Sequence, residues 1–535
     1  MDTELVTDVL LAIFREEIGS EQIQPDDDFY AAGGDSLTAV QVVARATAQG
    51  MSLRLIDLLM NPSVEELVEH LRSAVPASVG LQEAGGAGVL VEGCLVDPDD
   101  RGAMPAGVLD ALPASALQTG LIFQCEVTED PGLYHDLIGL QVTGTYDEDL
   151  FRAALRTLMG RHPALCSSFD LGRYSESMQL FWADVAEPLE MEQIASAAEA
   201  DMAVSAWREK QLSTLLNWER APLFRCHVAA GPGDTFRLTV AIHHAIMDGW
   251  SFATVLVDLL TLYDARLTDT AHGLPQPPAA AAEFVRLERA AVGSPEAAAF
   301  WRAQCDVPPL LDRERYGRQV DASGRRFAAL PAELFADLRA RAAEAHVPLK
   351  SLLLAVHCWS LGRVAGRFTD VVTGVVVNGR PEMTDGDRSV GLFLNTVPLR
   401  LSSPFGTWAG LARTLWETEL AATPHRRYPL AEIESSLGRR SFDAAFNFTD
   451  FHVYRQLDAL TALSVDGWWD RDKASHPLSC DFTLDYPGFG SGLLISFDPE
   501  LVSTEQVDAY VVLAVDGLHA AARDVNSAGM EARDG

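Results

Sequence analysis

The feature that most constrains this chain is a stretch with no pattern. Residues 76–107, PASVGLQEAGGAGVLVEGCLVDPDDRGAMPAG, are rich in Gly, Ala, Pro and Asp and hold neither a helical nor a strand period. Such a segment reads as a linker. It divides the 535 residues into two unequal parts and excludes one continuous core.

The first part, residues 1–75, carries only the helical period. Apolar positions recur at Leu5, Val9, Leu10 and Ile13, at Leu37, Val40, Val43 and Ala44, and at Val64, Leu67, Val68 and Leu71. Asn61-Pro62-Ser63 reads as a helix start, with Pro in the first turn and Glu65 and Glu66 close behind. Fourteen acids against four arginines leave this small all-helical unit near −10.

From residue 108 onward, strands and helices mix. Strands are expected at Leu137–Val142, Phe236–Ile242, Val371–Val377, Leu394–Leu401, Ala444–Phe448 and Leu493–Phe497. Helices are expected at Asp149–Met159, Phe252–Leu262, Pro331–Ala345, Leu349–Ala365 and Thr504–Ala522. They do not alternate one for one, which favours two-layer α/β sandwiches over a parallel barrel. Residues 108–522 exceed one core, so two lobes are expected, with the Pro-rich stretch Leu274–Pro278 as their boundary. The expected organisation is 1–75, a linker at 76–107, lobes at 108–275 and 276–522, and a tail at 523–535.

Composition narrows the function classes. A net charge of −35 argues against nucleic acid and anionic membrane surfaces as partners. No run of about 18 apolar residues is present, and the acidic N-terminus is no secretory signal. The seven cysteines are far apart and form no CxxC pair, which argues against zinc or a disulfide framework and for a reducing cytoplasm. Lysine occurs only at Lys210, Lys350 and Lys473, so lysine-based chemistry has few candidates.

Two segments carry chemistry. In Asp26-Asp27-Asp28-Phe29-Tyr30-Ala31-Ala32-Gly33-Gly34-Asp35-Ser36-Leu37, two glycines permit a tight turn and a close external approach. Ser36 opens a helix, where free N–H groups and the dipole favour a phosphate. Residues 1–75 hold only His70, far from Ser36, so no base activates this hydroxyl. Two readings stay open on these residues alone: a helix cap, or a serine built to be modified. The second segment is Ala241-Ile242-His243-His244-Ala245-Ile246-Met247-Asp248-Gly249-Trp250-Ser251, at the end of an apolar strand. A histidine there can project into a cleft and exchange a proton near neutral pH. The alternative is a pair of core-edge histidines beside a turn aspartate.

The first segment resembles the peptidyl carrier proteins of nonribosomal peptide synthetases. The resemblance implies a four-helix carrier domain with 4'-phosphopantetheine on Ser36. HHAIMDG resembles the HHxxxDG motif of condensation domains, relatives of chloramphenicol acetyltransferase. Further matches follow in order: Leu112–Gly120, Arg161-His162-Pro163-Ala164-Leu165, Val390–Thr396 and His425–Leu430. The resemblance implies a two-lobed α/β condensation domain with a tunnel between lobes. It implies that His244 is the functional histidine, with His243 beside it also expected among the catalytic residues. Asp248 would be structural and pair with Arg380 from the other lobe. Gly249 would offer a backbone N–H to the developing oxyanion, while Asn395, Arg161 and His162 would be structural.

The implied function is peptide-bond formation in the cytoplasm, as an acyltransferase of secondary-metabolite biosynthesis (an antibiotic or a siderophore). The donor thioester would sit on the Ser36 arm, and a downstream aminoacyl carrier domain would bring the amine. Adjacent adenylation domains and a phosphopantetheinyl transferase are the other implied partners; no metal, nucleic acid or membrane is implied. The chain is expected to be a didomain piece of a larger synthetase. Leu117–Phe123 and His244–Trp250 look like condensation domains that take D-configured donors, yet a linker of about 30 residues is too short to hold an epimerisation domain. Three resolutions stay open: a glycine or other achiral donor residue, favoured because it needs no additional enzyme; a D-residue made elsewhere; or a subtype resemblance that misleads.

Overall fold

The computed structural model describes residues 3–34, 36–73, 95–128, 130–231, 233–308, 310, 323–367, 369–402, 406–450, 452–471, 476–486, 488 and 490–527. Most of the expected linker and the end of the expected tail lie outside them.

The N-terminal unit consists of α1 (Thr3–Ile18), α2 (Ser36–Ala48), α3 (Leu55–Met60) and α4 (Val64–Ser73). Their apolar stripes meet in one core around Leu10, Phe14, Phe29, Val42, Leu58 and Leu67. Each such side chain withdrawn from water contributes roughly 1.5–3 kcal/mol. The expected start at Asn61-Pro62-Ser63 holds: Ser63 Oγ accepts from the Glu66 N–H at 3.2 Å, and α4 begins one residue later.

The chain then runs α5 (Pro98–Gly102), β1 (Val108–Pro113), α6 (Ala116–Thr128), β2 (His135–Thr143), α7 (Glu148–Arg161), β3 (Ser167–Asp170), β4 (Met178–Trp182), β5 (Leu189–Gln193), α8 (Ala197–Leu212), β6 (Phe224–Ala230), β7 (Thr235–His243) and α9 (Gly249–Leu267). The segment before β1 differs from expectation. Asp97 caps α5 by accepting from the Asp99 N–H, and Val96 is buried against Ala111, Met178 and Leu180. Isolated apolar residues without a period give no sequence signal of that packing.

The chain continues through α10 (Ala281–Val292), α11 (Pro295–Gln304), β8 (Gly324–Ala329), α12 (Ala332–Glu344), α13 (Leu349–Val364), β9 (Val371–Asn378), β10 (Leu394–Leu401), α14 (Trp408–Ala422), α15 (Leu430–Leu437), β11 (Ala444–Asp450), β12 (Ser464–Arg471), β13 (Leu478–Tyr486), β14 (Gly490–Phe497) and α16 (Thr504–Arg523). A six-stranded sheet in the order β10-β9-β11-β13-β14-β8 forms the second lobe. α13 is buried nearly all round, as its unbroken apolar composition requires, in a core shared with Trp408, Tyr510 and Leu518. Val525 belongs to that core, and its carbonyl and that of Ser527 accept from the N–H groups of Ala409 and Trp408, so the start of the expected tail is anchored to α14.

The first lobe holds a five-stranded sheet in the order β12-β2-β7-β6-β5 and a small sheet β1-β4-β3. Two points correct the sequence reading. β12 lies in the sequence of the second lobe yet pairs antiparallel with β2 in the first. α8 covers the face opposite α7 and α9, with Trp207 stacked on His227, so this lobe is more than two layers.

Candidate active site

β7 passes between β2 and β6 with both faces buried, which fixes its backbone and the loop that leaves it. The two histidines at its end differ in environment. His243 is 1% exposed. Its Nε2 lies 3.5 Å from Cys125 Sγ, its Nδ1 accepts from the Ala245 N–H at 3.1 Å, and Trp218 packs edge-on against the ring. Burial, aided by His135 and His244, holds His243 well below the ordinary histidine range, so it stays neutral. His243 was expected among the catalytic residues. It is instead a core residue, because strand alternation sends it to the face shared with its cross-strand partner His135.

His244 faces a cavity of about 420 Å³ between the lobes. Its N–H donates to the Tyr134 carbonyl at 2.8 Å, and its Nδ1 lies 2.7 Å from the Met247 carbonyl oxygen. A carbonyl only accepts, so Nδ1 carries a proton, and in the neutral ring Nε2 holds the lone pair. The side chain therefore has the form a proton acceptor needs.

Asp248 and Arg380 meet as expected. Arg380 Nη1 and Nη2 each donate to Asp248 at 2.9 Å, and Nη2 donates to Ser251 Oγ at 2.7 Å. Asp248 also caps α9 through the Ser251 N–H and accepts from the Phe393 N–H at 3.2 Å. Burial alone would raise this carboxyl, but Arg380 and these donors hold it below the usual range. The Arg380 guanidinium stacks on the Phe393 ring at 4.8 Å. The charges of this buried pair are thus matched across the lobes, and both Arg380 Nη atoms are hydrogen-bonded, while its Nε has no partner among the described residues.

The remaining motif residues support this frame. Asn395 donates to the carbonyls of Arg426 and Tyr428, tying β10 to the segment before α15. Glu382 binds both Arg426 and Arg427. His162 Nε2 and Arg161 Nε approach Asp258 on α9 at 2.9 and 3.4 Å. None of the three expected structural residues, Asn395, Arg161 and His162, faces the cavity.

Residues of the N-terminal unit also line the cavity. Gly33 has φ +109°, a region disfavoured for other residues, and a Cβ on Gly34 would strike the Phe29 ring at 2.4 Å. These glycines let the chain turn tightly over Phe29 into α2, whose first residue is Ser36. Tyr30 meets Trp416 of α14 edge to face at 5.5 Å, and the Asp385 N–H donates to Gln41 Oε1 at 2.9 Å. Two residues on, the Asp387 carbonyl accepts from the Trp250 indole N–H at 2.9 Å, next to the Asp248 cap. Gly33, Gly34 and Leu59 share one cavity with His244, Gly249 and Arg380.

Residues 108–467 match the family described as Condensation domain. This chain belongs to the condensation-domain family. Residues 8–71 match the family described as Phosphopantetheine attachment site, so the chain is a carrier domain followed by a condensation domain. AMB antimetabolite synthetase AmbE of Pseudomonas aeruginosa is 34% identical over 83% of the chain, which spans 21% of that protein. Surfactin synthase subunit 1 of Bacillus subtilis is 26% identical over 82% of the chain, which spans 12% of it. The condensation domain of the Monacolin K polyketide synthase MokA shares the fold with a TM-score of 0.66 at 18% identity, covering 79% of this chain and all of that one. The first condensation domain of the calcium-dependent antibiotic synthetase, in complex with a substrate analogue, aligns over 79% of this chain and 98% of its own with a TM-score of 0.62 at 19% identity.

The residues present fit a phosphopantetheine arm. The cavity has room for a slender chain, and it joins the glycine turn before α2 to His244. Sequence reasoning missed Asp136, whose Oδ2 lies 3.8 Å from His244 Nδ1 in the condensation domain. It also missed Trp416 and the 385–387 turn, which receive the carrier. Asp136 had a signal: it follows His135, and pairing the two strands through His135 and His243 places it diagonally across from His244. The carrier contacts had none, because each involves residues far apart in the chain.

Among the described residues, no helix is long and apolar enough to cross a membrane.

Proposed function

We propose that this chain transfers the acyl group of a thioester held at Ser36 to the α-amine of an aminoacyl thioester on a downstream carrier domain. The observation that carries this reading is the shared cavity, lined both by the glycine turn before Ser36 and by His244. Bound phosphopantetheine would supply the thiol that activates the acyl carbonyl as a thioester.

The chain's own residues do the rest. The Tyr30–Trp416 and Gln41–Asp385 contacts hold the carrier at the cavity mouth, which replaces a bimolecular encounter by a positioned one. His244 Nε2 accepts or orients the proton of the attacking amine. The Asp248–Arg380 pair holds the loop that carries His244 and keeps the lobes in register. The N–H of Gly249, at the start of α9 and on the cavity wall, is the oxyanion donor.

The partners in this reading are the downstream aminoacyl carrier, adjacent adenylation domains and a phosphopantetheinyl transferase. The setting is the reducing cytoplasm, supported by six unpaired thiols among the described residues. The donor residue is glycine or another achiral residue.

Intact mass and transfer assays test the proposal together. Ser36→Ala is expected to gain no phosphopantetheine from coenzyme A and a transferase. His244→Ala is expected to load normally and lose roughly 10²–10⁴-fold in amide formation. Loading of Ser36→Ala, or a wild-type rate from His244→Ala, overturns the corresponding assignment. Peptides ending in glycine, D-alanine or L-alanine, loaded at Ser36, test the donor; faster transfer from L-alanine than from glycine refutes the achiral reading.

A further inference from the structure

His244 has a second polar neighbour that the motif does not include. Asp136 sits on β2, two positions beyond Tyr134, whose carbonyl accepts the His244 N–H. In the β2–β7 register, His135 faces His243 and Asp136 faces Ile242. Strand alternation then sends Asp136 to the face that His244 occupies, on the diagonal. Its carboxylate reaches 3.8 Å from His244 Nδ1, and both side chains line the same cavity.

That distance is too long for a hydrogen bond, and Nδ1 already donates to the Met247 carbonyl. The interaction is therefore one of charge. It matters when Nε2 gains a proton and the ring becomes a cation.

The groups around His244 are arranged so that Asp136 is the carboxylate that meets this cation. On its own segment, Asp248 is committed to Arg380, and His243 is a neutral core residue. On β2, burial lowers His135 to about 4, so it too is neutral. Asp470 and Arg471 on β12, Asp450 and Asp481 on the second-lobe sheet, and Arg380 and Arg426 across the cavity share its walls. Of these groups, only Asp136 forms an ion-pair contact with His244 within 4.0 Å among the described residues.

We infer that Asp136 is a positioning residue for the transfer step, its carboxylate orienting the imidazole of His244 and offsetting the charge that the ring gains with the proton. The inference rests on the proposed role of His244. In that step the amine nitrogen bonds to the thioester carbonyl carbon and the C–S bond breaks. The proton lost by the amine passes to His244 Nε2 and then to the departing thiolate. Amine plus thioester becomes amide plus thiol, with no other reactant. Asp136 touches none of the reacting atoms and acts through His244 alone.

The test uses the full chain loaded at Ser36 with a peptide ending in glycine, and an alanyl thioester of N-acetylcysteamine as a soluble acceptor. Asp136→Asn is expected to lower kcat about ten-fold, leave the acceptor KM within about two-fold, and move the acid limb of the pH–rate profile down. Asp136→Glu is expected to recover part of kcat and of the profile. In a His244→Ala background, Asp136→Asn is expected to cost nothing more, since its effect passes through that ring. Wild-type kcat and profile in Asp136→Asn overturn the inference, as does an equal loss in both backgrounds. If Asp136→Asn fails to fold, Asp136→Glu decides: a loss of kcat without the profile shift overturns it. His244→Ala alone separates the two levels. An active His244→Ala defeats the proposed function, while an inactive His244→Ala beside a fully active Asp136→Asn defeats only the role of Asp136.

Discussion

Two loops in this molecule use the same local device and hold it differently. Each brings glycine to the start of a helix: Gly33-Gly34 before α2 and Gly249 at the head of α9. The loop before α2 rests on its own domain, with Gly34 over the Phe29 ring and Phe29 N–H bonded to Pro62. The loop before α9 is held from the other lobe, by Arg380, the Phe393 N–H and the Gly391 carbonyl. The difference fits the tasks that the proposed function assigns to each loop. A serine that a separate enzyme must reach is served by a self-contained domain that can leave and return. A histidine that must meet a reacting nitrogen is served by a loop that the whole condensation domain keeps in place.

The largest effect expected from breaking this contrast comes at Asp248. Asp248→Ala leaves Arg380 buried without its partner, which costs about 3–5 kcal/mol. A lower melting temperature for the condensation domain, with normal loading at Ser36, is the expected result. Equal melting temperatures for Asp248→Ala and wild type would contradict the idea that the second loop is held across the lobes. A smaller effect is expected at the carrier's resting place. An edge-to-face aromatic pair contributes about 0.5–1.5 kcal/mol beyond its buried area, so Trp416→Ala should slow single-turnover transfer by about three- to ten-fold. Its melting temperature should barely move, and unchanged transfer would mean that Tyr30 and Trp416 do not place the carrier.

The smallest effect is a pH dependence of that contact. Burial, against the pull of Arg45, pushes Glu17 up to about 7, and Asp387 and Asp385 across the interface add to the rise. The share of the rise that Asp387 and Asp385 supply exists only where the two domains touch, so there the carboxyl binds its proton more tightly than when free. Its contribution is therefore full below about pH 4.5 and is lost as pH rises through about 7. Carrier seating, followed by energy transfer between dyes on the two domains, should weaken a few-fold from pH 5 to 8. Glu17→Gln should flatten that slope, and an unaltered slope would assign it to another group.

Much of this was legible in the sequence, for reasons that vary by residue. β10 begins and ends where apolar alternation placed it, at Leu394 and Leu401. α2 begins at Ser36 because the glycine turn leaves no other start. The Asp248–Arg380 pair was implied by the resemblance to condensation domains, and the two side chains meet in the structure. Residue type alone does not tell the two histidines apart; the resemblance singled out His244, and strand parity beside His135 gives the physical reason. β12, with Gly467, Asp470 and Arg471 interrupting its apolar alternation, signals neither a strand nor its partner. The packing of Val96 and the seating of Tyr30 on Trp416 were invisible for the same reason: they are single contacts, without a period.

β12 also bears on how such a domain can be cut and recombined. Its backbone hydrogen bonds to β2 bind a late segment of the chain into the first lobe's sheet. A first lobe excised near residue 275 would lose that strand and expose the edge of β2, an invitation to aggregation. A hybrid that joins a foreign second lobe at that point would fill the edge with a strand selected for another partner. Chimaeras should therefore carry residues 464–471 with the first lobe, or exchange both lobes together.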